Sequence, residues 1–229
     1  MSETAANIAK VRARLQQAAR ENRRDENSVR LLAVSKTRGS REIREAFAEG
    51  IRDFGENYAQ EAEIKIAQLR DLPLTWHFIG PLQSNKTAFV AMHFDWVQSL
   101  DRLKIAERLD RQRPATCPPL NVCIQVNIDN ETSKGGIRPE ELVEFAAALQ
   151  AYPHLRLRGL MALPDPGLGR DGLQSAFVRM AQLYRSLQQR YPQLAIDTLS
   201  LGMSADLELA VAAGSTMVRI GTDIFGPRS

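Results

Sequence analysis

The chain has 229 residues, 44% of them hydrophobic and 25% charged, enough to bury a full-sized core as one α/β barrel or two small domains. A net charge of +3, with no basic run interleaved with aromatics, is too small to argue for a nucleic-acid partner, and none is expected. No stretch is long and apolar enough to span a bilayer, and the opening Met-Ser-Glu-Thr-Ala-Ala lacks a signal-peptide core, so a cytoplasmic protein is expected.

An amphipathic helix opens the chain, with Ile8, Val11, Leu15 and Ala18 on one stripe. Strand-like and helix-like segments then alternate. Strands are predicted at 30–35, 51–54, 75–79, 94–98, 120–127, 155–161, 197–201 and 216–220. Helices are predicted at 40–49, 57–69, 84–92, 101–112, 139–150, 172–190 and 205–213. Ser40, Ser84 and Ser204 read as N-caps, and Gly50 and Gly214 as helix stops. Eight strands separated by helices imply parallel pairing, either in a (β/α)8 barrel or in a doubly wound sheet. Eight is the barrel number, and no GxGxxG follows any strand. The expectation is one α/β domain over residues 1–229, a TIM-type barrel in which the N-terminal helix replaces the eighth outer helix. The Pro/Gly-rich run 163–169 reads as a mobile loop after strand six.

In such barrels the chemistry collects at the C-terminal ends of the strands. The predicted exits carry Lys36; Glu56 and Asn57; His77 to Gln83; Ser99; Asn127; Met161; Gly202-Met203-Ser204; and Arg219, Gly221 and Thr222. They describe a polar ring around an apolar barrel.

The chain has only six lysines, and Lys36, Lys86 and Lys134 fall on exits or in the loops beyond them. Lys10, Lys65 and Lys104 read as solvated faces of amphipathic helices. Lys36 closes the buried run Arg30-Leu31-Leu32-Ala33-Val34-Ser35, where desolvation pushes an ammonium toward the neutral amine. A neutral amine condenses with an aldehyde. The loops after strands seven and eight commonly bind phosphate in barrels, and here they supply Gly202-Met203-Ser204 and Gly221-Thr222. An ordinary capped turn would look the same in isolation. An aldehyde-reactive lysine and a phosphate cradle together suggest pyridoxal 5′-phosphate (PLP).

Arg219 alternates with Val218 and Ile220, so it should face inward, either toward a cofactor or toward a carboxylate such as Glu56, Asp206 or Glu208. A guanidinium only donates hydrogen bonds. At a pyridine nitrogen it would leave the ring unprotonated and a poor electron sink. Cys117 and Cys123 lack CxxC spacing and read as reduced thiols, while His77, His93 and His154 show no metal-ligand spacing.

The segment Trp76-His77-Phe78-Ile79-Gly80-Pro81-Leu82-Gln83-Ser84-Asn85-Lys86 resembles the signature of the pyridoxal phosphate homeostasis proteins, labelled YggS or PROSC, which are built like the N-terminal barrel of alanine racemase. Ala33-Val34-Ser35-Lys36, Phe54-Gly55-Glu56-Asn57-Tyr58, Gly202-Met203-Ser204-Ala205-Asp206 and Arg219-Ile220-Gly221-Thr222-Asp223-Ile224-Phe225-Gly226 match as well. The resemblance implies PLP on Lys36 as a Schiff base, with its phosphate at Met203, Ser204, Gly221 and Thr222. It also implies Asn57 beside the ring and Arg219 at the pyridine nitrogen. The family's expected role is to hold PLP and deliver it to PLP-dependent apo-enzymes, without established turnover. Lys134 resembles a second lysine that handles the cofactor during exchange, whereas the final Gly226-Pro227-Arg228-Ser229 does not match the lysine-bearing tail of some members.

Three functions remain open at this point: a PLP carrier, a PLP-dependent amino-acid racemase, and a phosphate-binding barrel unrelated to PLP. Racemisation needs a base on each face of the substrate, and Lys36 is only one. The tyrosine-bearing second domain of alanine racemase has no counterpart after Arg219, which favours a carrier and a monomer.

Overall fold

The computed structural model describes residues 2–131 and 134–227. Helix α1 (Glu3–Glu21) leads into strand β1 (Arg30–Val34). There follow α2 (Ser40–Ala48), β2 (Asp53–Glu56), α3 (Ala59–Gln68), β3 (Thr75–Phe78), α4 (Thr87–His93) and β4 (Trp96–Leu100). The second half runs α5 (Leu103–Gln112), β5 (Leu120–Gln125), α6 (Leu142–Leu149), β6 (Leu155–Met161), α7 (Gly169–Arg190), β7 (Thr198–Ser200), α8 (Leu207–Ala213), β8 (Met217–Ile220) and α9 (Thr222–Phe225). All eight strands pair in parallel and in order. The barrel closes where β1 meets β8, from Arg30 opposite Met217 to Ala33 opposite Ile220. The expected (β/α)8 barrel is therefore the observed one.

Strands wrapped by helices are covered on both faces, which is why they read as apolar runs; all five residues of β4 are buried. The main core lies between the strands and the helix ring. Inside the barrel the packing is different. Trp96, Cys123 and Met161 form a separate small cluster, and beside it lie the buried polar side chains His77, Gln98, Ser200 and Arg219. The expectation of an apolar barrel interior is thus corrected: the lumen holds a buried polar group of side chains. Gly159 permits one close approach of strands, since a Cβ there would lie 1.7 Å from the Thr198 carbonyl oxygen.

Helix α1 takes the place of the missing eighth outer helix. Its predicted stripe, Ile8, Val11, Leu15 and Ala18, is buried against α2, α8 and α9. Arg24, just beyond it, donates to the carbonyls of Val211 and Ser215 at 2.8 Å each. No helix among the described residues is long and apolar enough to cross a membrane.

Several boundaries moved. Strands β2 and β4 start two residues later than predicted, because a continuous apolar run carries no phase to fix its ends. Asp206, not Ser204, precedes α8, and Gly39 precedes α2, placing Ser40 inside it. Ser84 opens a single 3-10 turn, and α4 starts only at Thr87. The run expected to be a loop at 163–169 contains the ordered 3-10 turn Pro166–Leu168, capped by the Asp165 side chain.

Because α1 is part of the closed ring, Ile8→Ala should cost about 2–5 kcal/mol, as at any core position. Ile64, 61% exposed on α3, should cost under about 0.5 kcal/mol when cut back to Ala. Urea denaturation of both variants measures the contrast.

Candidate functional site

At the C-terminal mouth of the barrel lies a cavity of about 320 Å³. It is lined by Val34 at the end of β1 and Lys36 beyond it, Asn57 after β2, Ile79 after β3, Leu163 after β6, Met203 to Ala205 after β7, and Arg219, Gly221 and Thr222 on β8 and its exit. The seven predicted site residues, Lys36, Asn57, Met203, Ser204, Arg219, Gly221 and Thr222, all meet here. A cavity of about 280 Å³ at the opposite end, between the starts of β1 and β2, contains no lysine. The mouth cavity joins an amine to the face where barrels do chemistry.

The turn that carries Lys36 is clamped on both sides. Ser35 donates its N–H to the Gly55 carbonyl at 3.0 Å and its hydroxyl to Glu56 Oε1 at 2.5 Å. Its own carbonyl accepts from Lys65 Nζ at 2.6 Å. Lys65 Nζ also meets Glu56 Oε1 at 2.7 Å and Glu61 Oε1 at 2.6 Å. Glu61 Oε1 in turn accepts from the Thr37 N–H at 2.5 Å. Thr37 sits at φ +64°, a strained conformation for a β-branched residue that persists only when its surroundings hold it. Burial raises the Glu56 carboxyl above its ordinary value, and the Lys65 ammonium and Ser35 hydroxyl oppose that rise. Lys65 is 4% exposed. The reading of Lys65 as a solvated helix residue is therefore wrong: α3 turns Ala59, Ala62 and Lys65 to the same buried face.

The loops after β7 and β8 are fastened to each other through α1. Arg14 donates to the Ser204 carbonyl at 2.9 Å, to Asp223 at 2.5 Å and to Glu208 at 2.8 Å. The Met203 N–H donates to Asp206 Oδ1 at 2.5 Å, which shapes the turn between β7 and α8. Burial raises the Asp206 carboxyl, against the pull of the Met203 N–H and the Arg219 charge. Gly221 is packed against β1: a Cβ there would sit 3.3 Å from the Val34 carbonyl oxygen, so a side chain would crowd the gap between the two strand ends. Ser204 belongs to this turn and accepts a long 3.4 Å bond from the Asp223 N–H.

Arg219 faces inward as its alternation predicted, and is 4% exposed. It donates Nη1 to the Ser200 carbonyl and hydroxyl at 2.7 and 2.6 Å, and Nη2 to the Ala162 carbonyl at 2.9 Å. Burial drives its pKa down to about 10 despite the nearby Asp206 charge, still far above neutrality. Glu56 does not contact it and belongs to the Lys65 clamp; Glu208 belongs to Arg14. Asn57, in the cavity lining, has its Oδ1 buried without a hydrogen-bond partner, which leaves an acceptor open.

Other predicted exit residues lie elsewhere. His77 is fully buried within β3, inside the barrel and not at its mouth. Lys86 lies in the 3-10 turn before α4 and does not line the cavity. Lys134 pairs with Glu131 at 2.7 Å and Asp129 at 3.6 Å, away from the cavity lining. Its ammonium is partly desolvated, yet those carboxylates and Asp165 hold its pKa above the ordinary lysine value. Thr132 and Ser133 of the same loop, and Arg228 and Ser229 of the tail, lie outside the described residues. Cys123 is unbonded, and burial pushes its thiol up to about 12; no cluster of potential metal ligands occurs among the described residues.

Comparison with known proteins adds an independent line. A profile of the alanine racemase N-terminal domain matches residues 5–229. The pyridoxal phosphate homeostasis protein of Pseudomonas aeruginosa is 57% identical over 228 residues, covering 100% of this chain and 97% of the relative. That of Escherichia coli is 53% identical over 238 residues, covering 100% and 98%. Among solved structures, PipY of Synechococcus elongatus with PLP bound superposes with a TM-score of 0.85 at 40% identity, covering 98% of this chain and 100% of PipY. With a barrel, a mouth and a residue set of this kind already in view, these identities place the chain in the family of pyridoxal phosphate homeostasis proteins.

Proposed function

We propose that residues 1–229 form one cofactor-binding unit that holds PLP at the barrel mouth on Lys36 and releases it to other proteins. The observation that carries this reading is the convergence of one lysine amine, one buried guanidinium and a glycine-bearing double loop on a single cavity of about 320 Å³. The residues fit the group on two counts. Asn57 Oδ1 is a buried polar atom with no partner of its own, and Gly221 keeps open a cradle that a Cβ would crowd. When bound, PLP supplies an aldehyde that condenses with a primary amine and loses water. Lys36 offers that amine, Ser204, Gly221, Thr222 and the backbone of Met203 offer donors to the phosphate, and Arg219 offers donors to the ring. Val34, Ile79 and Leu163 supply an apolar wall.

The same inventory supports a carrier over a racemase. Lys36 is the one base lining the cavity; the lining contains no tyrosine, histidine or cysteine. Tyr58 is 60% exposed, and Tyr184 is buried on α7 with its hydroxyl on the Ile196 carbonyl. A proton removed on one face of a substrate therefore has no partner group to return it on the other. Two cysteines without a disulfide suit a reducing compartment, and we place the protein in the cytoplasm as a monomer that serves PLP-dependent apo-enzymes.

Wild-type protein incubated with PLP and desalted should keep a stoichiometric visible absorbance, and Lys36→Ala should lose it. Borohydride reduction should then fix the label on the peptide containing Lys36; a label elsewhere would overturn the assignment. Incubation with L-alanine, followed by chiral chromatography, should yield no D-alanine above a Lys36→Ala control. The clamp makes a separate prediction. Lys65→Met strands the buried Glu56 carboxylate and should cost about 3–5 kcal/mol, roughly a 10 °C fall in Tm, with Glu56→Gln in the same chain recovering part of it.

A further inference from the structure

The buried polar side chains of the barrel lumen form one continuous chain of hydrogen bonds, and its donors and acceptors can be assigned from the arginine end. A guanidinium only donates. Arg219 Nη1 donates to Ser200 Oγ at 2.6 Å. The hydroxyl, having accepted, passes its own hydrogen to Gln98 Oε1 at 2.6 Å. That fixes the amide, whose Nε2 faces the other way and donates to His77 Nδ1 at 3.0 Å, with Met217 Sδ at 3.1 Å. An accepting Nδ1 leaves the imidazole proton on Nε2, which donates to Asp53 Oδ1 at 2.9 Å. Each link points from Arg219 toward Asp53, so each acceptor end faces the guanidinium.

His77, Gln98 and Ser200 are each 0% exposed. Arg219 makes no ion pair with a carboxylate among the described residues; its contacts are two carbonyls and one hydroxyl. A buried charge with no counter-ion in contact needs ordered dipoles around it. The lumen chain supplies them in one sense and ends on a carboxylate, and its members polarise one another in that low-dielectric setting. The His77 ring stacks on Trp96, with centroids 5.2 Å apart, which fixes its plane within the lumen. Desolvation also keeps His77 neutral, against the pull of Asp53.

We propose that Ser200, Gln98 and His77 are positioning residues for Arg219, relaying the Asp53 carboxylate through the barrel so that the guanidinium is held oriented toward the cavity. This rests on reading the mouth as a PLP site, but the relay itself exists without the cofactor. Its consequence is that the electronic setting of the bound ring is controlled from inside the barrel, by residues that never touch it.

The test is a double-mutant cycle on the full chain, read as PLP dissociation constant and as the visible absorbance maximum of the PLP-loaded protein. Gln98→Leu removes the central link at similar volume. It should weaken PLP binding by roughly tenfold or more and shift the absorbance maximum. In an Arg219→Met background the same change should do neither. Equal effects of Gln98→Leu in both backgrounds, or a fall in Tm with an unmoved spectrum, would overturn the relay. A readout free of PLP uses 15N NMR of the His77 ring in the cofactor-free protein. A neutral ring protonated on Nε2 supports the proposal; an Nδ1–H or doubly protonated ring at neutral pH rejects it. If the wild type bound no PLP, the functional reading would fall while this second measurement still decided the relay.

Discussion

The pairing of the first strand with the last is the interaction on which the site depends. Parallel bonding of Ala33 to Ile220 sets the ends of β1 and β8 side by side, with Lys36 leaving one and Gly221-Thr222 leaving the other. Lys36 and the Gly221-Thr222 exit belong to the first and last strands of the sheet. They become neighbours because a closed sheet has no edge at which they could separate. The closeness is tight enough that Gly221 has little room for a side chain over the Val34 carbonyl. The closeness of the Lys36 turn and the Gly221-Thr222 exit is thus a property of strand register.

Two cations at this mouth are stabilised in opposite ways. Lys65 is surrounded by full charges, two carboxylates and a carbonyl within 2.7 Å, and its work is to hold the turn of Lys36. Arg219 is surrounded by neutral acceptors, and its nearest charged compensation comes from Asp206 without direct contact. A contacting carboxylate would neutralise the guanidinium, whereas two carbonyls and a hydroxyl fix its fork and leave its charge in place.

How much of this could be read from the sequence depended on whether the signal was periodic. The inward direction of Arg219 followed from its alternation with Val218 and Ile220, and α1 from its stripe of four apolar residues. Loop glycines and the exit lysine were legible because barrel topology says where to look. The start of β2 was not, and so Glu56, expected just past the strand, is its last residue. Lys65 was misjudged because a lysine in an amphipathic helix usually faces water. The correcting signal was present in the spacing of Ala59, Ala62 and Lys65, three residues apart on one face, with Glu61 four residues before Lys65. The lumen chain had no local signature at all: Asp53, His77, Gln98 and Ser200 come from four strands, and only closure of the sheet joins them.

The packing of α1 also sets an order of events during synthesis. Its apolar face is covered by α8 and α9, and Arg14 grips residues 204, 208 and 223, close to 200 positions downstream. At ordinary translation speeds the ribosome needs roughly 10–40 s to make that span. Throughout that interval α1 is a basic amphipathic rod without its seat. Such long-range closure also slows spontaneous folding, because the chain must bring distant segments together before their contacts can stabilise the ring.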